Sequence, residues 1–225
     1  MRIAAALAAG WIFATCGSDS TGPSGKTTAK VTDPTGDTYG TVGRTQWDIT
    51  VFTMPRDSGG IDLSLDFSAN VISPVTGDTN AIVGQVDFDV DQDTLTGVGS
   101  VVDAFRPGAG STKMGVDYAL DLFKYVDSTV NILDSLGAPT GSVRPVFSGK
   151  RLSVRIPRSL LGGDEAFLNA AAIIGTNFEP TDIAPENGHL KVGGTGPVAP
   201  YRPSVSAVRP AVRPTMQGQR TWGRH

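Results

Sequence analysis

Hydrophobic and polar residues alternate along much of this chain with a period of two, the repeat of a half-buried β-strand. The clearest case is residues 61–68, where four apolar side chains alternate with four polar ones (IDLSLDFS). Weaker forms of the pattern predict five further strands, at residues 47–54, 81–90, 116–123, 128–133 and 152–156. Gly, Pro, Asp and Asn separate these segments, as is typical of turns between short antiparallel strands.

Two segments depart from simple alternation. Residues 157–163 (PRSLLGG) predict one helical turn that starts after a proline and ends at glycine. Residues 167–178 contain a run of alanines compatible with a helix, but the apolar stretch at 173–178 favours a buried strand. Together the elements predict an all-β fold, a single antiparallel β-sandwich of jelly-roll or immunoglobulin-like type at residues 29–192, with at most one short helix.

The composition excludes several other classes of protein. The 28 glycines and 15 prolines are too many for a long helical bundle or coiled coil. Residues 1–192 hold all 22 acidic residues and 14 of the 19 basic ones, a net charge of −8, whereas residues 193–225 hold five arginines and no acid. An acidic domain argues against nucleic acid as a partner. The Pro- and Arg-rich segment 193–225 is expected to be a disordered tail.

The N-terminus has the features of a secretory signal. A basic residue precedes an apolar run at residues 3–13, which is shorter than the roughly 20 residues that span a bilayer. The run ends just before Cys16. Because Cys16 is the sole cysteine, an internal disulfide is excluded. This arrangement resembles a bacterial lipoprotein signal and implies a signal peptide at 1–15, a lipid on Cys16 and a flexible tether at 16–28. The resemblance implies an outer-membrane lipoprotein anchored through that lipid; the alternative is a secreted protein.

The densest chemical feature is an acidic run in which Asp87, Asp89, Asp91 and Asp93 recur at every second position. On an extended strand these side chains share one face, where like charges repel unless something neutralises them. Ca²⁺ does so well, because it binds about six to eight oxygen ligands, many of them carboxylates. The run therefore predicts a calcium site. An EF-hand is not expected, because Thr94 stands where that loop needs glycine.

Two further acidic groups are candidates for cation binding. Asp33 and Asp37 flank a glycine-containing turn and Asp48 opens the next predicted strand, so these three carboxylates can converge. Asp117 and Asp121 form the other group. For every group the alternative is that the aspartates cap their own turns or line a solvent-exposed face.

The order of these motifs resembles secreted bacterial calcium-binding β-sandwich modules related to family-nine carbohydrate-binding modules and DOMON-type domains. The segments that carry the resemblance, within residues 30–192, are DPTGDTYG, WDIT, DVDQDTLTG, GVDYALDL, RLSVRIPRSLLGG and TDIAPENGHLKV. The resemblance implies structural calcium held by Asp89, Asp91, Asp93 and Asp117, with Asp87 adjoining them. The sugar-binding relatives use an aromatic clamp, for which the candidates here are Tyr39, Trp47, Tyr118 and Tyr125.

Motifs for catalysis are missing from the sequence. The chain has no G-x-S-x-G nucleophile turn, no H-E-x-x-H zinc motif and no phosphate-binding loop. Its only histidine before the tail, His189, falls in a predicted turn. We therefore expect a non-catalytic envelope module with a structural or protein-interaction role. The first alternative is a carbohydrate-binding module with a polysaccharide ligand, and the second is a hydrolase using paired carboxylates or His189 beside a serine.

Overall fold

The structure is a computed structural model that describes residues 27–74, 78–105, 111–163 and 167–193. The predicted signal peptide, Cys16, most of the predicted tether and nearly all of the predicted tail lie outside these ranges. Within them, no helix has the length and apolar character of a membrane span.

The strands of the described residues, in chain order, are β1 (Thr27–Thr32), β2 (Ile49–Asp57), β3 (Gly60–Phe67), β4 (Val83–Asp89), β5 (Val98–Gly99), β6 (Gly115–Val116), β7 (Tyr118–Val126), β8 (Thr129–Asp134), β9 (Pro139–Val143), β10 (Val146–Ser148), β11 (Arg151–Pro157), β12 (Leu168–Gly175), β13 (Pro180–Ala184) and β14 (Leu190–Val192). A short helix α1 (Val101–Phe105) follows β5, and a 3₁₀ helix (Arg158–Leu161) follows β11.

The strands form two sheets and a small ribbon. The first sheet has the order β1-β2-β3-β11-β10, and the second has the order β13-β12-β4-β7-β8-β9. Strands β13 and β14 both pair with β12: β13 lies beside residues 172–175, and β14 lies beside residues 168–170. Among the described strands, β5 and β6 pair only with each other, and every pair in the three sheets is antiparallel. The predicted all-β antiparallel sandwich is confirmed.

β3 explains why the first sheet has one apolar face. Leu63 and Leu65 are buried in the core between the sheets, whereas Asp62 and Asp66, which point the other way, are half-buried. Arg151 on β11 lies opposite Asp66 and forms an ion pair with it at 2.5 Å. The alternation in the sequence therefore separates a core face from a polar outer face.

The second sheet is covered on both faces. Phe88 and Leu120 pack into the core between the sheets. On the opposite face Ile173 packs in a second apolar cluster with Val101 and Val102 of α1 and with residues of the β5–β6 ribbon. Because both faces are covered, all eight residues of β12 are buried and its sequence shows no alternation. The ambiguous segment 167–178 is thus a strand, as its apolar stretch favours.

The other predicted elements agree with the structure to within a few residues, with one interruption. The strand predicted at 116–123 is divided at Asp117, because β6 pairs with β5 whereas β7 pairs with β4. The predicted helical turn at 157–163 is the 3₁₀ helix, and it ends at Gly162 with a left-handed φ of 94°. Helix α1 was not predicted, since its five residues are too few to show a helical repeat.

Gly84 marks a place where β4 and β12 approach closely, because a Cβ at this position would overlap the backbone carbonyl oxygen of Ile173. We expect Gly84→Ala to lower the free energy of unfolding by about 3 kcal/mol, since the two backbones must move apart. Urea unfolding at pH 7 measures the difference.

Gly137→Ala is the matched control. Gly137 also has a positive φ, of 81°, but no heavy atom of the described residues lies within 4 Å of a Cβ built there. Its loss should be about 1 kcal/mol, the cost of a left-handed backbone alone. Equal losses in the two variants would contradict the role of close strand approach at Gly84.

Candidate metal centre

One group of carboxylates lies at the edge of the sandwich where β1 and β2 of the first sheet approach β13 and β14 of the second. We call it the edge cluster; its members are Asp33, Asp37, Asp48, Asp182 and Glu186. The first three belong to the connection between β1 and β2, Asp182 lies on β13, and Glu186 lies between β13 and β14. The cluster therefore joins two segments that are distant in the sequence and belong to different sheets.

Backbone hydrogen bonds hold the β1–β2 connection against β13. Thr181 receives a bond from the Tyr39 N–H at its carbonyl (2.9 Å), and its hydroxyl both accepts from the Trp47 N–H (3.0 Å) and donates to the Trp47 carbonyl (2.9 Å). The Ile49 N–H donates to the carboxylate of Asp182 at 2.6 Å. These contacts fix the acidic loop beside β13, so the approach of the carboxylates is part of the fold.

The carboxylate oxygens of the edge cluster fall into two groups of three. One oxygen each from Asp33, Asp182 and Glu186 lie within 4.8 Å of one another, and so do one each from Asp37, Asp48 and Asp182. Ligands of one Ca²⁺ lie at about 2.3–2.6 Å from the ion, so oxygens at such separations can share it.

Several of these oxygens are buried without a hydrogen-bond donor. Asp33 is 3% exposed and Asp48 is 6% exposed. Within the described ranges, Asp33 Oδ2, Asp48 Oδ1 and both carboxylate oxygens of Asp37 have no hydrogen-bond partner. An ionised carboxylate buried in this way is unfavourable unless a proton or a cation neutralises it.

Burial and neighbouring negative charges both raise pKa values in the edge cluster. Burial raises the pKa of Asp33 to about 7, and the neighbouring charges of Asp37, Glu186 and Asp48 add to the rise. Burial also raises the pKa of Asp182 to about 8, despite bonds from the Ile49 and Ile183 N–H groups; the charges of Asp33 and Asp37 contribute again.

A second group, the loop cluster, consists of Asp89, Asp91 and Asp117, which offer one oxygen each within 4.8 Å of one another. Asp89 ends β4, Asp91 lies in the loop that follows, and Asp117 separates β6 from β7. The Val90 N–H donates to Asp117 Oδ2 at 3.0 Å, which ties the loop to this aspartate.

The loop cluster is more exposed than the edge cluster, but it also contains a buried unpartnered oxygen. Asp89 is fully buried; its Oδ2 accepts from Asn169 at 3.0 Å, whereas its Oδ1 has no donor in the part of the chain that is described. Asp91 is exposed and accepts from the Thr96 hydroxyl at 2.9 Å. Burial raises the pKa of Asp117 to about 7, and the charge of Asp91 raises it further.

Asp87 and Asp93 belong to neither cluster. Asp87 is fully buried beneath α1, where its carboxylate accepts bonds from Gln85 Nε2 (2.6 Å), Ser100 Oγ (2.7 Å) and the Val101 N–H (2.9 Å). It fastens the start of α1 to the second sheet. Asp93 is exposed and accepts from the Leu95 N–H at 2.8 Å, which shapes its own turn.

Two other candidate residues have local roles. Asp121, grouped with Asp117 in the sequence, accepts from the Phe123 N–H at 2.9 Å and lies outside both clusters. His189 Nδ1 lies 2.6 Å from the Thr112 carbonyl oxygen, so this ring nitrogen is the protonated one. Both residues therefore hold neighbouring backbone.

The four aromatic residues considered for sugar binding do not form an exposed row. Trp47 is buried, packs edge-on against Phe67 and donates from Nε1 to the Asn80 carbonyl at 3.2 Å. Tyr39, Tyr118 and Tyr125 are partly buried and pack against the apolar clusters.

Asp182 and Glu186 are ligand candidates that the sequence pattern does not predict. Both fall in the segment TDIAPENGHLKV, where they look like ordinary strand and turn residues. A signal exists only in their proximity to Asp33 and Asp48, which the approach of the two sheets at this edge creates.

Comparison with known proteins adds no family assignment: no protein-family model matches the chain, and no curated protein matches it. The resemblance to calcium-binding β-sandwich modules therefore stays a prediction. Several acidic clusters that could hold a metal ion are present among the described residues.

The raised pKa values predict how pH affects the stability of the cation-free protein. Asp33 and Asp182 titrate near pH 7 and 8 when folded but near about 4 when unfolded, so between these values the folded state binds more protons. Stability must then fall as pH rises from 6 to 8. Thermal melting in EDTA across this range measures it, and Asp182→Asn should flatten the slope. A melting temperature that is constant or rises would contradict the prediction.

Proposed function

We propose that this protein is a non-catalytic, calcium-stabilised β-sandwich module with a structural or protein-interaction role in the cell envelope. The observation that carries the proposal is the set of buried carboxylate oxygens in the edge cluster that have no donor among the described residues. Such oxygens are the ligands that a hard cation requires. The loop cluster offers a second, more exposed set.

The donor set favours Ca²⁺ over other common cations. Each residue in the two clusters offers a carboxylate oxygen, whereas zinc sites are built mainly from cysteine and histidine. Mg²⁺ requires near-octahedral geometry and keeps several waters, which suits a buried, loop-built carboxylate pocket poorly. Ca²⁺ tolerates variable geometry and accepts backbone carbonyls as additional ligands.

A cation in the edge cluster would act as a structural fastener. Asp33 and Asp48 bracket the β1–β2 connection of the first sheet, and Asp182 belongs to β13 of the second. An ion shared by these residues links the sheets at one edge and replaces repulsion by attraction.

A structural role also accounts for the backbone bonds that these carboxylates make. The Gly36 N–H donates to Asp48 Oδ2 at 3.0 Å, and the Ile183 N–H donates to Asp182 Oδ1 at 2.8 Å. Carboxylates used in this way order their loops around the ion. This is the behaviour of a stabilising site, and we propose no reaction at it.

The proposed cellular location rests on the N-terminal sequence. A basic residue, a short apolar run and Cys16 followed by a Gly- and Ser-containing segment favour export and attachment of a lipid. We propose an outer-membrane lipoprotein whose β-sandwich is held away from the membrane by the tether.

Calcium should stabilise the full-length protein. Ca²⁺ at 100 times its dissociation constant adds about 2.7 kcal/mol, which raises the melting temperature of a domain of this size by roughly 5–10 °C. Asp48→Asn should reduce the rise clearly, because it takes a buried ligand from the edge cluster. In EDTA the same variant should melt at or above the wild-type temperature, since one repelling charge is gone. Thermal melting in EDTA and in millimolar Ca²⁺ measures both effects.

Asp127→Asn is the matched control, because Asp127 is exposed in the β7–β8 turn and its left-handed φ of 52° suits asparagine equally. It should respond to Ca²⁺ like the wild type. A wild-type melting temperature that ignores Ca²⁺, or an Asp48→Asn variant with the full rise, would reject the calcium proposal.

If a lipid is attached to Cys16, substitution of this residue should change the cell fraction in which the protein is found. Cys16→Ser removes the thiol that accepts the lipid, so the protein should move from the membrane fraction to the soluble exported fraction of a bacterial host. Fractionation followed by mass spectrometry of the N-terminal peptide checks both location and modification. Unmodified Cys16 in a soluble wild-type protein would instead favour secretion.

A further inference from the structure

The carboxylate oxygens of the edge cluster form two groups that share one residue. Asp182 is the only residue common to its two groups of three oxygens. Asp33 and Glu186 complete one group, and Asp37 and Asp48 complete the other. Asp33 and Glu186 do not share a group of three with Asp37 or Asp48.

Backbone donors hold both carboxylate oxygens of Asp182 in place. Its Oδ2 accepts from the Ile49 N–H at 2.6 Å and its Oδ1 from the Ile183 N–H at 2.8 Å. A carboxylate has about four lone-pair sites, so each oxygen keeps one for a cation. The two backbone donors fix the group between the segments that carry the other ligands.

Each group has its own buried oxygen without a donor. In the first group this is Oδ2 of Asp33, and in the second it is Oδ1 of Asp48, with no partner for either atom among the described residues. Both residues are more than nine-tenths buried. A single ion placed in one group would leave the unpartnered oxygen of the other group uncompensated.

The charge of the cluster gives the same result. When cation binding ionises all five carboxylates, they carry five negative charges, so one divalent cation leaves three of them uncompensated in a largely buried site. Two divalent cations leave one negative charge uncompensated, which the backbone donors of the site can stabilise.

We propose that the edge cluster binds two Ca²⁺ ions side by side, bridged by the carboxylate of Asp182. Asp33 and Glu186 supply the other carboxylates of the first ion. Asp37 and Asp48 supply those of the second. This inference rests on the proposed function, because it specifies the number and arrangement of ions at the same site.

Counting bound ions tests the arrangement. Equilibrium dialysis of the full-length protein against radioactive Ca²⁺, taken to saturation, gives the number of ions per chain. The variants are Glu186→Gln for the first ion, Asp37→Asn for the second, their combination, and Asp182→Asn for both, with Asp127→Asn as the control. Circular dichroism in EDTA establishes that each variant is folded, which these near-isosteric changes should preserve.

The expected result is a difference of two ions between the wild type and Asp182→Asn. Glu186→Gln and Asp37→Asn should each lose one ion, and their combination should lose two. The control should keep the wild-type number.

A difference of one ion or none between the wild type and Asp182→Asn would overturn the bridged pair. Loss of the same single ion in Glu186→Gln, in Asp37→Asn and in their combination would also overturn it, since it would show one shared ion. If the wild type still binds Ca²⁺ in these cases, the proposed function stands. A wild type that binds no Ca²⁺ would reject both.

Discussion

Repulsion between carboxylates at the edge of the sandwich acts directly on the joint between its two sheets. Asp33 and Asp48 belong to the first sheet's β1–β2 connection and Asp182 belongs to the second sheet, so any force between their charges is a force between the sheets. Backbone bonds from Ile49, and from Trp47 to Thr181, hold the segments together against this repulsion. The ionic state of a few buried oxygens therefore governs how firmly this edge is closed.

The second sheet contains a buried aspartate, Asp87, whose carboxylate is stabilised by protein groups. Asp87 is as deeply buried as any member of the clusters, and burial raises its pKa to about 6. Three donors, from Gln85, Ser100 and Val101, satisfy its oxygens and anchor the layer that covers the outer face. Among the described residues, the carboxylate of Asp87 is thus satisfied by donors of the fold, whereas Asp33 and Asp48 each keep a buried oxygen without a donor, which suits a cation.

The local sequence predicts those features that depend on local patterns. β3 alternates because one of its faces is in the core, and the 3₁₀ helix ends at Gly162 because glycine permits its backbone. β12 gives a weaker pattern because both of its faces are covered. The regular spacing of Asp87 and Asp89 correctly places them on one face of β4, but it cannot reveal that Ser100 serves one and Asp117 approaches the other. Asp182 and Glu186 lie beside Asp33 only because the two sheets approach each other at this edge, and no residue near them in the sequence indicates it.

The short strands at the margins of both sheets bear on behaviour at high concentration. The second sheet ends on one side in β13 and β14, two short segments separated by a turn, and on the other in the five-residue β9. The first sheet ends in β10, with three residues, and in β1, with six. A long unpaired strand offers another molecule a template for backbone pairing, whereas interrupted or brief ones offer few consecutive bonds. At high concentration, neighbouring copies of this domain would therefore have little means of joining their sheets into aggregates.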